Sequence, residues 1–401
     1  MDVARFINSP VGRLVPLRGT DGRIGMPYDH VAFMPDPLTD EPVLSGATWR
    51  AVSRAAHALG RLHQAARQIP VPALLGRPTL RREAQSTSAL EGTFAPLEDV
   101  LAAELIDESA RSAELHEVLN YVATADAAFG WVNEGRRVTV GLLCELQSLL
   151  VSDTLADNLH AGRVRDMPVA IGSKGDSIVD ARFVPAPPGP ELEAGLQDLV
   201  DWVNSSTTSN RDPIVAAALG HYQFECLHPF NDGNGRLGRL LIVLQLLQDG
   251  VLTDSLLSVS PWFEARRAEY QDGLAKVSAV GDWDGWVSFF AAGLRASATD
   301  TAQRVHSLLD VQADYLGRLR AAGTIGIARD VAESLIGYPF VTVSAIAQRT
   351  GKTFQAANNA VRKLVELGIL RERTGRTQWR LFEAKDVVAV LTAPVAQEES
   401  W

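Results

Sequence analysis

Apolar residues recur three and four positions apart along most of the chain, a pattern that predicts a mainly α-helical protein. The first forty residues are instead rich in Pro, Gly and Asp, which predicts an extended arm wrapped on the surface. The predicted helices occupy Thr48–Gln68, Leu80–Glu91, a region between Pro96 and Leu150, a segment starting at Glu191, Pro213–Cys226, Gly235–Leu247, Pro261–Ala279, Asp284–Leu294 and Thr301–Leu319.

Two segments depart from the helical period. Val, Met and Ile are mixed with glycines over Arg163–Val184, which predicts a short β-hairpin. Near the C-terminus, two short predicted helices flank a turn at 350–353, and the segments 369–373 and 378–381 can then pair as strands across a turn at 374–376. Helices, turn and paired strands in this order predict a winged helix-turn-helix.

Charge is distributed unevenly along the chain. The 401 residues exceed one ordinary core, so two or three domains are expected. The net charge of −10 argues against nucleic-acid binding over the whole surface. Between Tyr338 and Leu391, however, the sequence has nine basic and four acidic residues, a net charge of +5. The rest of the chain then carries a net charge of −15. This asymmetry indicates a separate C-terminal module.

From the sequence we expect neither a secretory leader nor a membrane span. Asp2 stands where a secretory leader would have basic residues, and the longest apolar run, near 240–247, is too short to cross a bilayer. Cys144 and Cys226 are far apart in the sequence and do not have metal-ligand spacing. These features favour a reduced, cytoplasmic setting.

The strongest chemical signal is the segment 228–239, which reads His-Pro-Phe-Asn-Asp-Gly-Asn-Gly-Arg-Leu-Gly-Arg between two apolar helices. Its Gly-Asn-Gly triplet, residues 233–235, falls at a predicted helix N-terminus, where main-chain N–H groups and the helix dipole favour an anion. Arg236 and Arg239 follow on the same helix, and their planar guanidinium groups suit phosphate oxygens.

Two further residues of this segment supply a metal ligand and a base. Asp232 offers a hard oxygen ligand beside the anion site, as Mg²⁺ requires. His228 ends the preceding helix and can accept a proton near neutral pH, as a general base for an incoming hydroxyl must.

The segment resembles the signature of Fic-domain proteins, His-Pro-Phe-x-Asp/Glu-Gly-Asn-Gly-Arg-x-x-Arg, and matches it at every fixed position. The resemblance implies a helical core that binds ATP and Mg²⁺ and transfers AMP to a Ser, Thr or Tyr of a target protein. It implies that His228 is the base, Asp232 the metal ligand and Phe230 the anchor of the loop in the core. The implied ATP-binding residues are Gly233, Asn234 and Gly235 as the anion hole, Arg236 and Arg239 on the β- and γ-phosphates, and Gly238.

The segment 87–92, Thr-Ser-Ala-Leu-Glu-Gly, resembles the inhibitory motif of the same family, Ser/Thr-x-x-x-Glu-Gly/Asn, which implies inhibitory roles for Thr87, Glu91 and Gly92. Thr87 and Glu91 share a helix face with Leu80 and Ala84, so we expect Glu91 to be drawn inward. The resemblance implies that Glu91 pairs with Arg239 and keeps the γ-phosphate of ATP from seating productively. The alternative is that Glu91 is a solvated helix end.

Residues 163–184, which we name the flap segment, resemble the family's flap through Gly162-Arg163-Val164-Arg165 and through Val169, Ala170, Ile171 and Gly172. A flap offers a strand edge on which a target segment can dock near His228, and the implied nucleotide site includes residues 169–172. The alternative is an ordinary edge hairpin. Tyr270 lies in a stretch that also resembles the family and is a candidate to contact adenine. The alternative is a core role, which is the more common one for an aromatic residue on a helix.

The predicted winged helix has two alternative partners. In a DNA-binding protein its second helix would present a polar set to the groove and the wing would contact phosphate; these residues are Gln355, Asn358, Asn359, Arg362 and, on the wing, Arg376. Winged helices also dock proteins or form dimers, so fold alone does not decide between them.

The sequence therefore predicts an N-terminal arm with the inhibitory region (1–110), a Fic catalytic core (111–300), a connecting helix (301–330) and a winged helix-turn-helix (331–395). The predicted function is AMP transfer held back by Glu91. Two alternatives remain: AMP removal, with Glu91 positioning a water molecule, and a DNA-binding regulator whose Fic core senses nucleotide. The target protein and the oligomeric state stay open, and a homodimer is one of the states that the resemblance implies.

Overall fold

The computed structural model describes residues 1–401 except 21–24, 26, 68–71, 173–177, 206–209, 254, 376–379 and 396–401, and the side chains of 72 and 73. It is mainly α-helical. The α-helices are α1 Gly46–Arg67, α2 Pro72–Leu90, α3 Leu97–Ala102, α4 Ala113–Asn133, α5 Val140–Val151, α6 Pro190–Ser205, α7 Pro213–Leu227, α8 Asn234–Gln248, α9 Ser260–Ala265, α10 Arg267–Val280, α11 Trp283–Ala321, α12 Ile327–Ser334, α13 Val343–Thr350, α14 Phe354–Glu366 and α15 Lys385–Thr392. The strands are β1 Gly12–Thr20, β2 Pro27–Pro35, β3 Phe340–Val341, β4 Arg371–Glu372 and β5 Phe382–Glu383.

Two helices are longer than the sequence predicts. Helix α2 begins at Pro72 rather than Leu80 and accommodates Pro78 in its interior. Helix α11 runs unbroken over 39 residues where two helices were predicted. The predicted gap, 295–300, contains neither Gly nor Pro, so nothing in it interrupts the helical hydrogen bonds. A further difference is a break between α9 and α10, where one helix was predicted.

The N-terminal arm, predicted as an extended segment on the surface, contains a β-hairpin. Strands β1 and β2 pair antiparallel from Gly12 opposite Pro35 to Thr20 opposite Pro27. Phe33 on β2 is completely buried and contacts the rings of Phe6 and Phe183. The prediction of a purely superficial arm was therefore wrong, because the end of β2 contributes apolar side chains to the core.

One compact unit comprises 1–60, 120–255 and 262–296 and contains the segment 228–239. Helices α7 and α8 pack on each other and are buried along nearly their whole length. The indole N–H of Trp286 on α11 donates to the carbonyl of Ala218 on α7 at 2.8 Å. The loop between α7 and α8 is thus supported by two core helices.

The second unit comprises 61–119, 256–261 and 297–401. In it α12, α13 and α14 accompany a three-stranded antiparallel sheet of order β3-β5-β4. Buried Glu383 on β5 accepts hydrogen bonds from Arg371 and Arg373 on the neighbouring chain segment. Helices α13 and α14 and the pairing of β4 with β5 follow the predicted order, but β5 lies at 382–383 rather than at 378–381. Residues 376–379, in the predicted turn and strand, lie outside the described residues, and the winged helix-turn-helix stays a prediction.

Within the described part of the chain, none of the helices is both long enough and apolar enough to cross a membrane.

Candidate active site

His228 has an unusual backbone conformation. Helix α7 ends at Leu227, and His228 caps it with φ 49° and ψ 60°, in the left-handed region, while its N–H donates to the carbonyl of Phe224 at 2.8 Å. Left-handed non-glycine residues are rare and cost on the order of 1–3 kcal/mol. The surrounding structure must therefore hold His228 in place.

Arg165 supplies much of this support. Its side chain is 2% exposed, and its Nε donates to the carbonyl of His228 at 2.7 Å. A terminal nitrogen donates to the carbonyls of Leu227, at 3.1 Å, and Ala186. Burial lowers the pKa of Arg165 to about 10, so the guanidinium remains charged at neutral pH. In the sequence, Arg165 was part of the segment that resembles the family's flap, but nothing there indicated that it supports His228.

The loop is also closed by its own Asn234. The side-chain oxygen of Asn234 accepts from the N–H of Phe230 at 2.8 Å, and its amide nitrogen donates to the carbonyl of Phe230 at 2.7 Å. Phe230 is completely buried, which confirms the predicted anchor. The side-chain oxygen of Asn234 and one of its two amide N–H bonds are thus used within the loop, while its main-chain N–H lies at the helix N-terminus.

The start of α8 has the geometry predicted for an anion site. Gly233 precedes the helix with φ 82°, and a Cβ at this position would lie 2.8 Å from Leu150. Leu237 donates the first helical hydrogen bond, to the carbonyl of Gly233 at 2.9 Å. The N–H groups of residues 234–236 therefore point beyond the helix N-terminus, where an anion is favoured.

The two arginines of α8 are more buried than surface phosphate ligands would be. Arg236 is 4% exposed and Arg239 is 2% exposed. Arg236 donates to a carboxylate oxygen of Asp232 at 3.1 Å, and the side chain of Asp232 is 51% exposed. Burial of two cations at one helix end creates a local preference for an anion.

The residues around Asp232 fit a magnesium site of the kind completed by substrate. No cluster of three or more His, Cys, Asp or Glu suited to a metal occurs among the described residues. Mg²⁺ is commonly held by one or two protein carboxylates together with substrate phosphates. The half-exposed carboxylate of Asp232, beside the N-terminus of α8, meets that requirement.

Gly238 and Tyr270 have structural roles in this chain. A Cβ on Gly238 would lie 2.7 Å from Glu225, so the glycine permits close contact of α7 and α8. The ring nitrogens of His221 lie 3.1 Å from the carbonyl of Gly238 and 2.7 Å from the hydroxyl of Tyr270. Because a carbonyl only accepts, Nδ1 of His221 is the donor and Nε2 accepts from Tyr270.

The prediction that Tyr270 contacts adenine is therefore corrected. Tyr270 is 5% exposed, its hydroxyl bonds to His221 and its ring contacts Phe263 and Trp286. Burial, and secondarily the charge of Arg239, lower the pKa of His221 to about 3, so this histidine stays neutral. Both parts of Tyr270 that adenine would use belong to the core.

Glu225 is a site residue that the sequence analysis missed. Its Oε2 lies 3.8 Å from Nδ1 of His228, and the two side chains are 12% and 18% exposed. A carboxylate at this distance stabilises a protonated imidazole, which is the state that a histidine base reaches after accepting a proton. The available signal was a lone carboxylate in the otherwise apolar helix α7, three residues before His228.

The flap segment has less regular structure than predicted. In its described residues the pairing is one isolated antiparallel bridge, in which Ile171 and Phe183 exchange hydrogen bonds of 2.9 and 3.1 Å. Gly172 has φ 64° and packs against Arg182, while Ala170 is exposed. The predicted two-stranded hairpin is therefore reduced to a bridge, and nucleotide contact by 169–172 stays a prediction.

The predicted inhibitory segment ends α2 in the second unit. Leu80, Ala84 and Thr87 are buried as expected, but Glu91 follows the last helical residue, Leu90, and is exposed. The predicted burial of Glu91 was wrong, because the helix ends one residue early and Gly92, with φ 97°, turns the chain away.

Helix α14 exposes a polar face. Asn359 accepts hydrogen bonds from Gln355 at 3.2 Å and from Arg362 at 2.8 Å, and all three residues are exposed. Asn358 is half-buried. Arg376, predicted on the wing, lies outside the described residues.

Comparison with known proteins agrees with this geometry. Residues 137–246 match the Fic/DOC family, and residues 49–130 match the Fic/DOC family N-terminal region. The match to the Fic/DOC family includes the whole segment 228–239. A solved Fic family protein from Desulfovibrio desulfuricans G20 has a TM-score of 0.56 and 25% identity, and the match covers 86% of this chain and 98% of that one.

Curated relatives are similar over a shorter segment. Protein adenylyltransferase fic-1 of Caenorhabditis elegans is 34% identical over 184 residues, which cover 44% of this chain and 32% of the relative. Protein adenylyltransferase Fic of Nematostella vectensis is 32% identical over 137 residues, covering 33% and 29%. The match thus spans about a third of the length of these relatives.

Proposed function

We propose that the chain is a protein adenylyltransferase, which moves AMP from ATP to a Ser, Thr or Tyr hydroxyl of a target protein. The observation that best supports this function is the juxtaposition of His228, in a left-handed conformation, with the glycine-opened N-terminus of α8. A candidate base and an anion site then flank one reacting phosphate. Similarity to proteins named adenylyltransferases supports the same reaction class.

In the proposed reaction, His228 accepts the proton of the target hydroxyl while that oxygen attacks the α-phosphorus of ATP. The bond from the α-phosphorus to the bridging oxygen breaks, and pyrophosphate leaves with its electron pair. The N–H groups of 234–236, with Arg236 and Arg239, stabilise charge on the phosphate oxygens. Bound Mg²⁺ would neutralise charge on the phosphates, with Asp232 as its protein ligand.

The position of the label in ATP tests this function. Purified protein would be incubated with Mg²⁺ and a lysate, using ATP labelled at the α-phosphate in one arm and at the γ-phosphate in the other. AMP transfer places only the α-label on protein, whereas phosphoryl transfer places only the γ-label there. Absence of α-label from every protein, including the chain itself, with both the wild type and Glu91→Gly would contradict the proposal.

The Asp232→Asn variant is expected to need at least about tenfold more Mg²⁺ for half-maximal transfer, because it loses a charged oxygen ligand. Asn keeps the size of Asp and can still contact Arg236. Transfer would be titrated with Mg²⁺ at fixed ATP. Exposed Asp157→Asn, which lies outside the 228–239 segment, serves as the control. An unchanged Mg²⁺ requirement in Asp232→Asn would remove Asp232 from the metal site.

We propose that a target protein docks on the flap segment. Within this segment, the antiparallel bridge joins Ile171 to Phe183. A target strand added beside this bridge would bring its hydroxyl toward the loop.

A second candidate function is binding of duplex DNA by helix α14. Gln355, Asn359 and Arg362 lie at positions i, i+4 and i+7, and Asn359 accepts hydrogen bonds from the other two. Gln, Asn and Arg are the side chains that most often pair with base edges. The same helix also exposes Phe354 and Val365, so a protein partner remains the alternative that the salt dependence below tests.

If α14 binds DNA, log K should fall with log salt by about 0.9 for each phosphate neutralised. The Arg362→Ala variant should weaken binding by about 5- to 150-fold, the loss of one base or phosphate contact. Fluorescence anisotropy with a random-sequence duplex measures both. Arg329→Ala, an exposed arginine on α12, is the control. Binding that is insensitive to salt would favour a protein partner.

A further inference from the structure

We propose that Arg165 is a positioning residue for catalysis, which holds the main chain of His228 in the conformation that presents the imidazole to substrate. The inference rests on the proposed function and extends it to a residue outside the 228–239 segment. Arg165 lies 63 positions before His228, so the link is made by the fold and not by the local sequence.

One residue joins the flap segment to the loop through main-chain groups on both sides. The N–H of Arg165 donates to the carbonyl of Pro229 at 2.9 Å, and its Nε donates to that of His228 at 2.7 Å. On the flap side, a terminal nitrogen donates to the carbonyl of Met167 at 3.0 Å. The other terminal nitrogen bridges the carbonyls of Ala186 and Leu227.

The charge of Arg165 is balanced by main-chain dipoles. Within the part of the chain that the structure describes, no ion pair joins this guanidinium to a carboxylate, and all its hydrogen bonds go to carbonyl oxygens. Leu227 and His228 are at the C-terminal end of α7, where the helix dipole favours a cation. A buried cation at this end thus satisfies carbonyls that the left-handed turn leaves without helical partners.

This arrangement predicts an effect on turnover rather than on nucleotide affinity. The guanidinium of Arg165 contacts the carbonyls of His228 and Leu227, and the anion site lies at the start of α8. Loosening the turn at His228 misplaces the base, and a misplacement of about 1 Å can cost about 100-fold in rate. The N–H groups at the start of α8 are held separately by Gly233 and the side chain of Asn234.

The Arg165→Lys variant is expected to lower kcat for AMP transfer by about 10- to 100-fold, with KM for ATP changed by less than about threefold. Lysine retains the charge but cannot span the four carbonyls. Arg163→Lys is the matched control, because Arg163 is two residues away and exposed. In Arg165→Ala, added guanidinium ion should restore part of the lost kcat, since a small cation can occupy the vacated site.

Three measurements keep the inference open to refutation. A folded Arg165→Lys variant with the kcat of the wild type would overturn the inference. A rise of KM by about 10- to 100-fold without loss of kcat would overturn it too. Hydrogen exchange of the His228 amide should be faster in Arg165→Lys than in Arg163→Lys, and equal exchange would also overturn it. Should the wild type transfer no AMP, the proposed function fails, while the exchange measurement still decides whether Arg165 holds the loop.

Discussion

Replacement of His228 by alanine is expected to lower AMP transfer by about 100- to 10,000-fold, which is the usual contribution of a general base. No other histidine is assigned to the proton transfer: His221 bonds to Gly238 and Tyr270 and stays neutral in the core. Incorporation of α-labelled AMP into protein, measured as an initial rate, gives the size of the loss.

The backbone of His228 requires a second variant. Alanine is strained at φ 49°, so a loss in His228→Ala alone can reflect a displaced loop. Asn tolerates the left-handed conformation but is not a base, and His228→Asn should therefore lose activity while keeping the melting temperature. Exposed His306→Ala is the control for loss of a histidine. Substantial transfer by His228→Asn would contradict the assignment of the base.

The parts of the site that could be predicted from the sequence are those set by neighbouring residues. Apolar periodicity located α7 and α8, and Gly233 between them marked the turn because only glycine readily adopts its φ of 82°. Burial of Phe230 was implied by the resemblance of the segment 228–239 and is confirmed by the structure. The mainly helical fold followed from the same periodicity.

The parts that could not be predicted depend on residues distant in the chain. Arg165 can play its role only because the fold brings the carbonyl groups of residues 186, 227 and 228 close together. The spacing of apolar residues in the sequence does not reveal such a contact. From the sequence, Tyr270 could either contact adenine or belong to the core. The hydrogen bond between its hydroxyl and His221 decides for the core. Burial of Glu91 was predicted from its place on the apolar face of α2. The helix, however, ends at Leu90, and Gly92 follows with a φ of 97°.

The exposure of Glu91 changes the physical basis of the proposed inhibition. A buried carboxylate would be fixed by the packing around it, whereas Glu91 is exposed. Thr87 and Ser88, in the same segment, are buried. Glu91 therefore acts, in this proposal, through its charge on the bound nucleotide and not through packing.

The Glu91→Gly variant is accordingly expected to raise AMP transfer by roughly 5- to 150-fold, the range of ordinary coupling free energies, with little change in melting temperature. Glu91→Gln, which removes the charge without adding backbone freedom, should raise it in the same direction. Glu108→Gly, at another exposed glutamate of the second unit, is the control. Initial rates of α-label incorporation would be compared at equal protein and ATP.

Equal rates in the wild type and Glu91→Gly would contradict inhibition by this residue. A distinct outcome identifies the alternative reaction: the wild type would release AMP from protein labelled by Glu91→Gly, and Glu91→Gly itself would not. In that case the carboxylate activates water, and its exposure after Leu90 is the feature that admits the water. Transfer and removal would then share His228 and the α8 anion site and differ only in whether Glu91 is present.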